Sequence, residues 1–120
     1  MARILLAEDD TSTRSLIARA LAGDGHSVSE AEDGQTALSM LLANPGAVDV
    51  LVTDVEMPGI DGIELAKRGL AAKPGLKVLL ITGHAGGLSR AEGLAAQGVR
   101  SLSKPATLDK VRAEIKTLLS

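Results

Sequence analysis

The sequence predicts an α/β fold in which a parallel sheet of five strands is covered by helices on both faces. Three observations point there. Short apolar runs alternate along the chain with stretches whose apolar residues recur at helical spacing. Turn signals, mostly Gly, Pro, Asn and Asp, separate the two kinds of segment. Four of the runs stop abruptly at a residue that carries chemistry. Ile4-Leu-Leu-Ala7 stops at Glu8 and Asp9, and the run through Leu51-Val-Thr53 stops at Asp54. Val78-Leu-Leu-Ile81 stops at Thr82, and Val99 to Ser103 stops at Lys104. In a sheet of this kind ligands bind beyond the carboxyl ends of the strands. The fold therefore gathers onto one rim residues that lie far apart in sequence.

Taken in order, Arg3 to Ala7 reads as a buried first strand. A helix follows from Thr11 or Ser12 to Ala22, with Leu16, Ile17, Ala20 and Leu21 on one face and Gly23 as its stop. His26 to Ala31 reads as the second strand. Asp33 caps a helix carrying Ala37, Leu38, Leu41 and Leu42, which ends near Asn44-Pro45-Gly46. Val48 to Thr53 is the third strand, with Asp54 at its tip. Met57-Pro58-Gly59 turns the chain, and Asp61 with Glu64 opens a third helix that Pro74-Gly75 ends. Lys77 to Ile81 is the fourth strand. Ser89-Arg-Ala-Glu92 has the spacing of a capping box and predicts a helix running to about Gln97. Val99 to Ser103 is the fifth strand, and Leu108, Val111, Ile115 and Leu118 mark the stripe of a last helix.

With 120 residues the chain is large enough for one domain and too small for two. At 45% hydrophobic and 23% charged it is globular. A net charge of -2 with no basic stripe argues against nucleic-acid binding. The complete absence of Phe, Tyr and Trp removes any base-stacking platform. No cysteine is present, so disulfides and thiolate metal sites are excluded. No apolar run reaches membrane-spanning length, and the first is too short for a signal peptide. The expectation is a cytoplasmic protein without a membrane partner.

Three acids at strand ends, Glu8, Asp9 and Asp54, repel one another if gathered. A divalent cation together with the Lys104 ammonium balances them. An all-oxygen donor set selects a hard ion, Mg2+ or its substitute Mn2+. Such a site suits phosphoryl transfer: Mg2+ and Lys104 stabilise charge on the equatorial oxygens, Thr82 donates its hydroxyl to one of them, and Asp54 is the nucleophile. Each part alone has a plainer reading. Glu8-Asp9-Asp10 suits the start of a helix, and Asp10 itself reads as a cap. Thr82 alone caps a turn, Lys104 alone is a surface lysine, and His26 reads as solvated. His84 has no second His or Cys to make a metal site.

The ordered set resembles the receiver domain of two-component response regulators over the whole chain. The residues that carry the resemblance are Glu8-Asp9-Asp10, Asp54 with Met57-Pro58-Gly59 and Asp61-Gly62, Ile81-Thr82-Gly83, and Lys104-Pro105. The resemblance implies a flavodoxin-like, doubly wound sheet of order 2-1-3-4-5 with five helices. It implies phosphoryl transfer from a histidine kinase or histidine phosphotransferase to Asp54. Metal is then held by Asp9, Asp54 and the backbone carbonyl of Glu56, with Glu8 acting through a bound water. A cis peptide before Pro105 is expected. The output surface is the face of the fourth helix, fifth strand and last helix, which binds a downstream protein. With Met1 at the start and a helix at the end, the expectation is a receiver without an output domain. The opening ten residues, Asp61 to Ala66 and Ser103 to Pro105 are similar to CpdR-type regulators of alphaproteobacteria, adaptors in regulated proteolysis and the cell cycle.

Several positions depart from that pattern. Glu8 stands where Asp is commoner. Ser101 stands where the family has an aromatic that turns inward on activation, so switching must take another form. Gly83, Gly86 and Gly87 predict a mobile segment from Gly83 to Leu88. Glu56 and His84 occupy the two rate-tuning positions and are expected to set the lifetime of the phosphoryl group. Other readings are a phosphorelay shuttle that passes the group to another histidine, and a degenerate receiver that is never phosphorylated. A small phosphatase of the haloacid-dehalogenase type also uses a strand-end Asp, a Lys and Mg2+. It needs a second Asp where this chain has Glu56, and a cap insertion this chain lacks.

Overall fold

The computed structural model describes residues 1–120. Its strands are β1 (Arg3–Ala7), β2 (Ser27–Ala31), β3 (Val50–Asp54), β4 (Lys77–Thr82) and β5 (Val99–Ser103). Its helices are α1 (Thr11–Gly23), α2 (Gly34–Ala43), α3 (Gly62–Ala72), α4 (Ala85–Glu92) and α5 (Leu108–Leu119), with short 3-10 turns at Pro45–Ala47 and Ala95–Gln97. The strands form one parallel sheet in the order β2-β1-β3-β4-β5, as the resemblance implies.

Alternation along each strand builds two cores. Ile4, Leu6, Val50, Val52 and Leu79 pack on one face with Ile17 and Leu21 of α1 and Val111 and Ile115 of α5. Leu5, Leu51, Val78 and Leu80 pack on the other with Leu38 and Leu41 of α2, Ile63, Leu65 and Ala66 of α3, and Ala91 of α4. Without aromatic rings, both layers are filled by Leu, Ile, Val, Ala and a single buried Met57. Central strands buried on both faces explain why their sequences are apolar almost without interruption.

The predicted caps hold in part. Asp33 accepts the Thr36 N–H at 2.7 Å and Asp61 the Glu64 N–H at 2.9 Å. Asp10 caps α1, accepting from the Thr13 N–H at 2.8 Å. The capping box at Ser89 does not form. Helix α4 starts earlier, at Ala85, and stops at Glu92, so Ser89 lies inside it. Its N-cap, His84, makes no side-chain cap bond. Gly86 and Gly87 disguise the first turn as a loop, because glycine is a poor helix former. Packing overrides that propensity: a Cβ on Gly87 would lie 2.3 Å from Thr82 Oγ1. The segment expected to be a mobile loop is therefore helical from Ala85.

Smaller differences have local causes. β3 extends to include Asp54, and β4 to include Thr82, so both site residues are strand residues. The start of β3 moves to Val50 because Val48 closes the preceding 3-10 turn. β2 begins at Ser27, and His26 is half-buried, its Nδ1 accepting the Ala2 N–H at 3.1 Å. Leu16 and Leu42 are each 53% exposed, and Ala18 takes the inward place expected of Leu16.

Candidate functional site

The chain order leaves β1 to build β2 on one side and β3 on the other. The crevice above β1 and β3 is the switch point where such sheets bind ligands. Asp54 closes β3 there, only 5% exposed, with Glu8 just past β1 also buried. Carboxylate oxygens of Glu8, Asp9 and Asp54 all lie within 4.8 Å of one another. Backbone bonds fix these positions. The Glu8 N–H reaches Ala31 O at 3.1 Å, and Val55 N–H reaches Ile81 O at 2.9 Å. The start of α3 presses on the strand tip, so closely that a Cβ on Gly62 would lie 2.2 Å from Asp54 O. Glycine is needed there for that approach.

Lys104 reaches the cluster from β5. Its N–H bonds Thr82 O at 2.7 Å, and the Lys104–Pro105 peptide is cis, as expected. Its Nζ lies 3.1 Å from Asp54 Oδ2. The other oxygen of Asp54, Oδ1, is buried without any partner. An unpartnered buried carboxylate oxygen beside two further carboxylates is a costly arrangement. A hard divalent cation satisfies it, and the donors present fit one.

The electrostatics show the same strain. Burial pushes the Asp54 carboxyl above its ordinary value, against the pull of Lys104, with Glu56 and Asp9 adding to the rise. Burial also pushes the Glu8 carboxyl up to about 7. For Lys104, burial lowers the ammonium, but its bond to Asp54 outweighs that and leaves it raised.

These shifts give stability a definite pH dependence. An acid raised from 4.5 to about 7 on folding stabilises the fold fully below 4.5 and loses that contribution as pH rises through about 7. The capping acids act oppositely. Asp10 and Asp33, held low by Thr13 and Thr36, stabilise above the ordinary carboxylate pKa and lose it on acidification. Metal-free protein is expected to melt highest near about pH 5 and to lose melting temperature between about pH 5 and 8. Saturating Mg2+ should flatten that decline. Calorimetry in EDTA that shows melting temperature rising over the same range contradicts it.

The remaining predicted residues lie around the rim. Thr82 is fully buried, and its hydroxyl donates to Glu56 Oε2 at 2.6 Å. The Gly83 N–H donates to Glu56 Oε1 at 2.9 Å. His84 is exposed, its backbone N–H bonding Thr82 Oγ1 at 3.2 Å. Ser101 is half-buried in β5 opposite Leu80, and Pro105 is exposed. The bond between the Glu56 carboxylate and Thr82 is absent from the sequence reading. Parallel register carries the signal: Asp54 pairs with Ile81, so two residues further on Glu56 meets Gly83. A second unread contact is the 2.9 Å ion pair of Arg90 in α4 with Asp61, the cap of α3.

Comparison with known proteins agrees with this geometry. The family model described as response regulator receiver domain matches residues 4–116. The response regulator receiver protein CpdR of Brucella abortus is 39% identical over 99% of this chain and 98% of its own length. The transcriptional regulatory protein TcrA of Mycobacterium tuberculosis is 35% identical, but the chain spans only 45% of it. Among solved structures, the receiver domain of the hybrid histidine kinase CckA superposes with a TM-score of 0.83 at 36% identity, covering 98% of this chain and 99% of that one. The response regulator TrrA of Thermotoga maritima, in complex with Mg2+ and beryllofluoride, gives 0.82 at 28% identity over 98% and 99%. Glu8, Asp9 and Asp54 form the acidic pocket at which this family binds Mg2+. By sheet order, strand-end acids and likeness over nearly its whole length, this chain belongs to the response regulator receiver domain family.

Proposed function

We propose that the chain is a stand-alone phosphorylation switch of the cytoplasm, whose output is the binding of another protein. The observation that carries this is the state of Asp54: buried at a strand tip, one oxygen on Lys104 and the other without a partner, beside two more carboxylates. Near-complete coverage of the CpdR protein supports a receiver without an output domain, and an adaptor role like that of CpdR-type regulators.

In this reading the Asp54 carboxylate attacks the phosphorus of a phosphohistidine. The P–N bond breaks, and the acyl phosphate remains on the protein. Lys104, paired with Asp54 in the unphosphorylated chain, turns its ammonium to the transferring oxygens and offsets their charge. Asp9, Asp54 and the Glu56 carbonyl, with Glu8 through water, would hold Mg2+, which would supply charge neutralisation at the transferring oxygens. Thr82 donates to one of those oxygens. His84, exposed at the mouth, stands where it tunes attack by water. The protein is a phosphoacceptor that assists its own modification. A histidine kinase or histidine phosphotransferase is the donor, and α4, β5 and α5 form the face that a downstream target reads.

Transfer from a phosphohistidine donor tests the reading. Labelled phosphate on a histidine kinase core is expected to move to the parent chain and to leave Asp54→Asn unlabelled. Label that reaches both equally places the acceptor elsewhere. Label that then moves on to a histidine phosphotransferase favours the shuttle.

A further inference from the structure

The Glu56 carboxylate is held by Thr82, the hydroxyl read as the hydrogen-bond donor to the phosphoryl group, and by the backbone N–H that follows it. Its Oε2 accepts the Thr82 hydroxyl at 2.6 Å, and its Oε1 accepts the Gly83 N–H at 2.9 Å. A hydroxyl has one proton to give. While Thr82 donates to Glu56 it accepts from the His84 N–H at 3.2 Å and has nothing left for another anion. Both bonds to Glu56 are charge-assisted, the stronger kind, and together they grip the carboxylate by its two oxygens.

The first turn of α4 rests on this contact. A Cβ at position 87 would lie 2.3 Å from Thr82 Oγ1 and 2.7 Å from Glu56 Oε2, so Gly87 has no clearance above the pair. Three residues along, Arg90 ties the same helix to Asp61 at 2.9 Å. Helix α4 is thus fastened to the site at two points, one of them made of Glu56 and Thr82. The chain has no aromatic ring, and Ser101 makes none of the side-chain hydrogen bonds at the site. A change at Asp54 has this contact as its physical route into α4.

We propose that Glu56 is an internal competitor of the phosphoryl group, and that its displacement from Thr82 and Gly83 is the event that loosens the first turn of α4. The inference rests on the reading of Asp54 as phosphoacceptor. On phosphorylation the Thr82 hydroxyl and the Gly83 N–H turn from the carboxylate to phosphoryl oxygens, and Glu56 is released toward solvent at the mouth. Loss of the phosphoryl group lets Glu56 return. Beyond the transfer of the phosphoryl group itself only hydrogen bonds change, so the device adds a fixed resistance to charging the site and converts it into a movement of α4.

Beryllofluoride, a phosphoryl mimic, tests this at saturating Mg2+ with the parent, Glu56→Ala and Glu56→Asp. Calorimetry gives affinity, and amide resonances of Gly83, Gly87 and Leu88 follow α4. Glu56→Asp keeps the charge but loses one methylene of reach, so it separates occupancy of the donors from the local field. Both variants are expected to bind beryllofluoride about tenfold more tightly than the parent, the worth of roughly one net charge-assisted hydrogen bond. Without ligand, their three amides should already lie displaced toward the bound positions of the parent. Affinity no higher in either variant, with amides unmoved, overturns the proposal and leaves the phosphoacceptor reading standing. Tighter binding by Glu56→Ala alone also overturns it, since the field and not occupancy is then the cause. A parent that binds no beryllofluoride overturns both.

Discussion

Lys104→Met is expected to slow phosphorylation of Asp54 by a small phosphodonor by about a hundredfold to a thousandfold, the usual cost of removing one preorganised group aimed at developing charge. The side chain keeps most of its length and loses its charge. In the parent, Nζ sits 3.1 Å from Asp54 Oδ2, while Glu8, Asp9 and Glu56 surround the same carboxylate with negative charge. An incoming phosphoryl group brings more. Without the ammonium, a bound divalent ion is the remaining positive charge at the crevice, and the anionic donor meets a field only partly compensated. The fold should survive, because Lys104 is partly exposed and its backbone N–H keeps its bond to Thr82 O. Rates of adduct formation measured by mass, with circular dichroism as the folding control, decide this. A variant within threefold of the parent removes Lys104 from the chemistry.

Asp54→Asn should act in two directions at once. The acceptor is lost, and Mg2+ affinity falls by at least about tenfold, since even changes one layer out from a metal cost that much. Yet the metal-free protein should become more stable. Burial and the nearby acids raise Asp54 in the fold, so its charged form is unfavourable there. An amide of the same shape carries no charge to desolvate, and its oxygen, placed where Asp54 Oδ2 lies, accepts from Lys104. Removing one of three crowded carboxylates also relieves Glu8, whose own shift has Asp54 among its causes. At about pH 8 in EDTA, where the parent carries most of this strain, the variant is expected to melt higher. A variant that melts lower under those conditions shows that the carboxylate cluster does not strain the metal-free fold.

The parts of the site legible in sequence are those that sit where a strand stops. Asp54, Thr82 and Lys104 each end an apolar run, and a parallel sheet places every such end on one rim. Sheet order followed from the resemblance, since periodicity alone shows strands and helices but not their neighbours. Two features needed three-dimensional packing. The first turn of helix α4 was hidden because Gly86-Gly87 reads as a break, whereas the pressure of Thr82 and Glu56 against the helix requires a residue without Cβ. The Glu56 contact was hidden because it depends on the β3–β4 register, which sets position 56 against Gly83. Leu16 and Leu42 misled for a simpler reason. One residue is about 100° of rotation on a helix, enough to carry a leucine from the core to solvent.

Phosphoryl capture by Asp54 is read most directly from intact mass after incubation with phosphoramidate, for the parent with Mg2+, the parent in EDTA, and Asp54→Asn with Mg2+. A gain of about 80 Da, one phosphoryl group, is expected in the first sample alone. A gain that persists in Asp54→Asn, or that forms equally well without the metal, contradicts it. So does a parent that stays at its starting mass while its circular dichroism shows the fold intact.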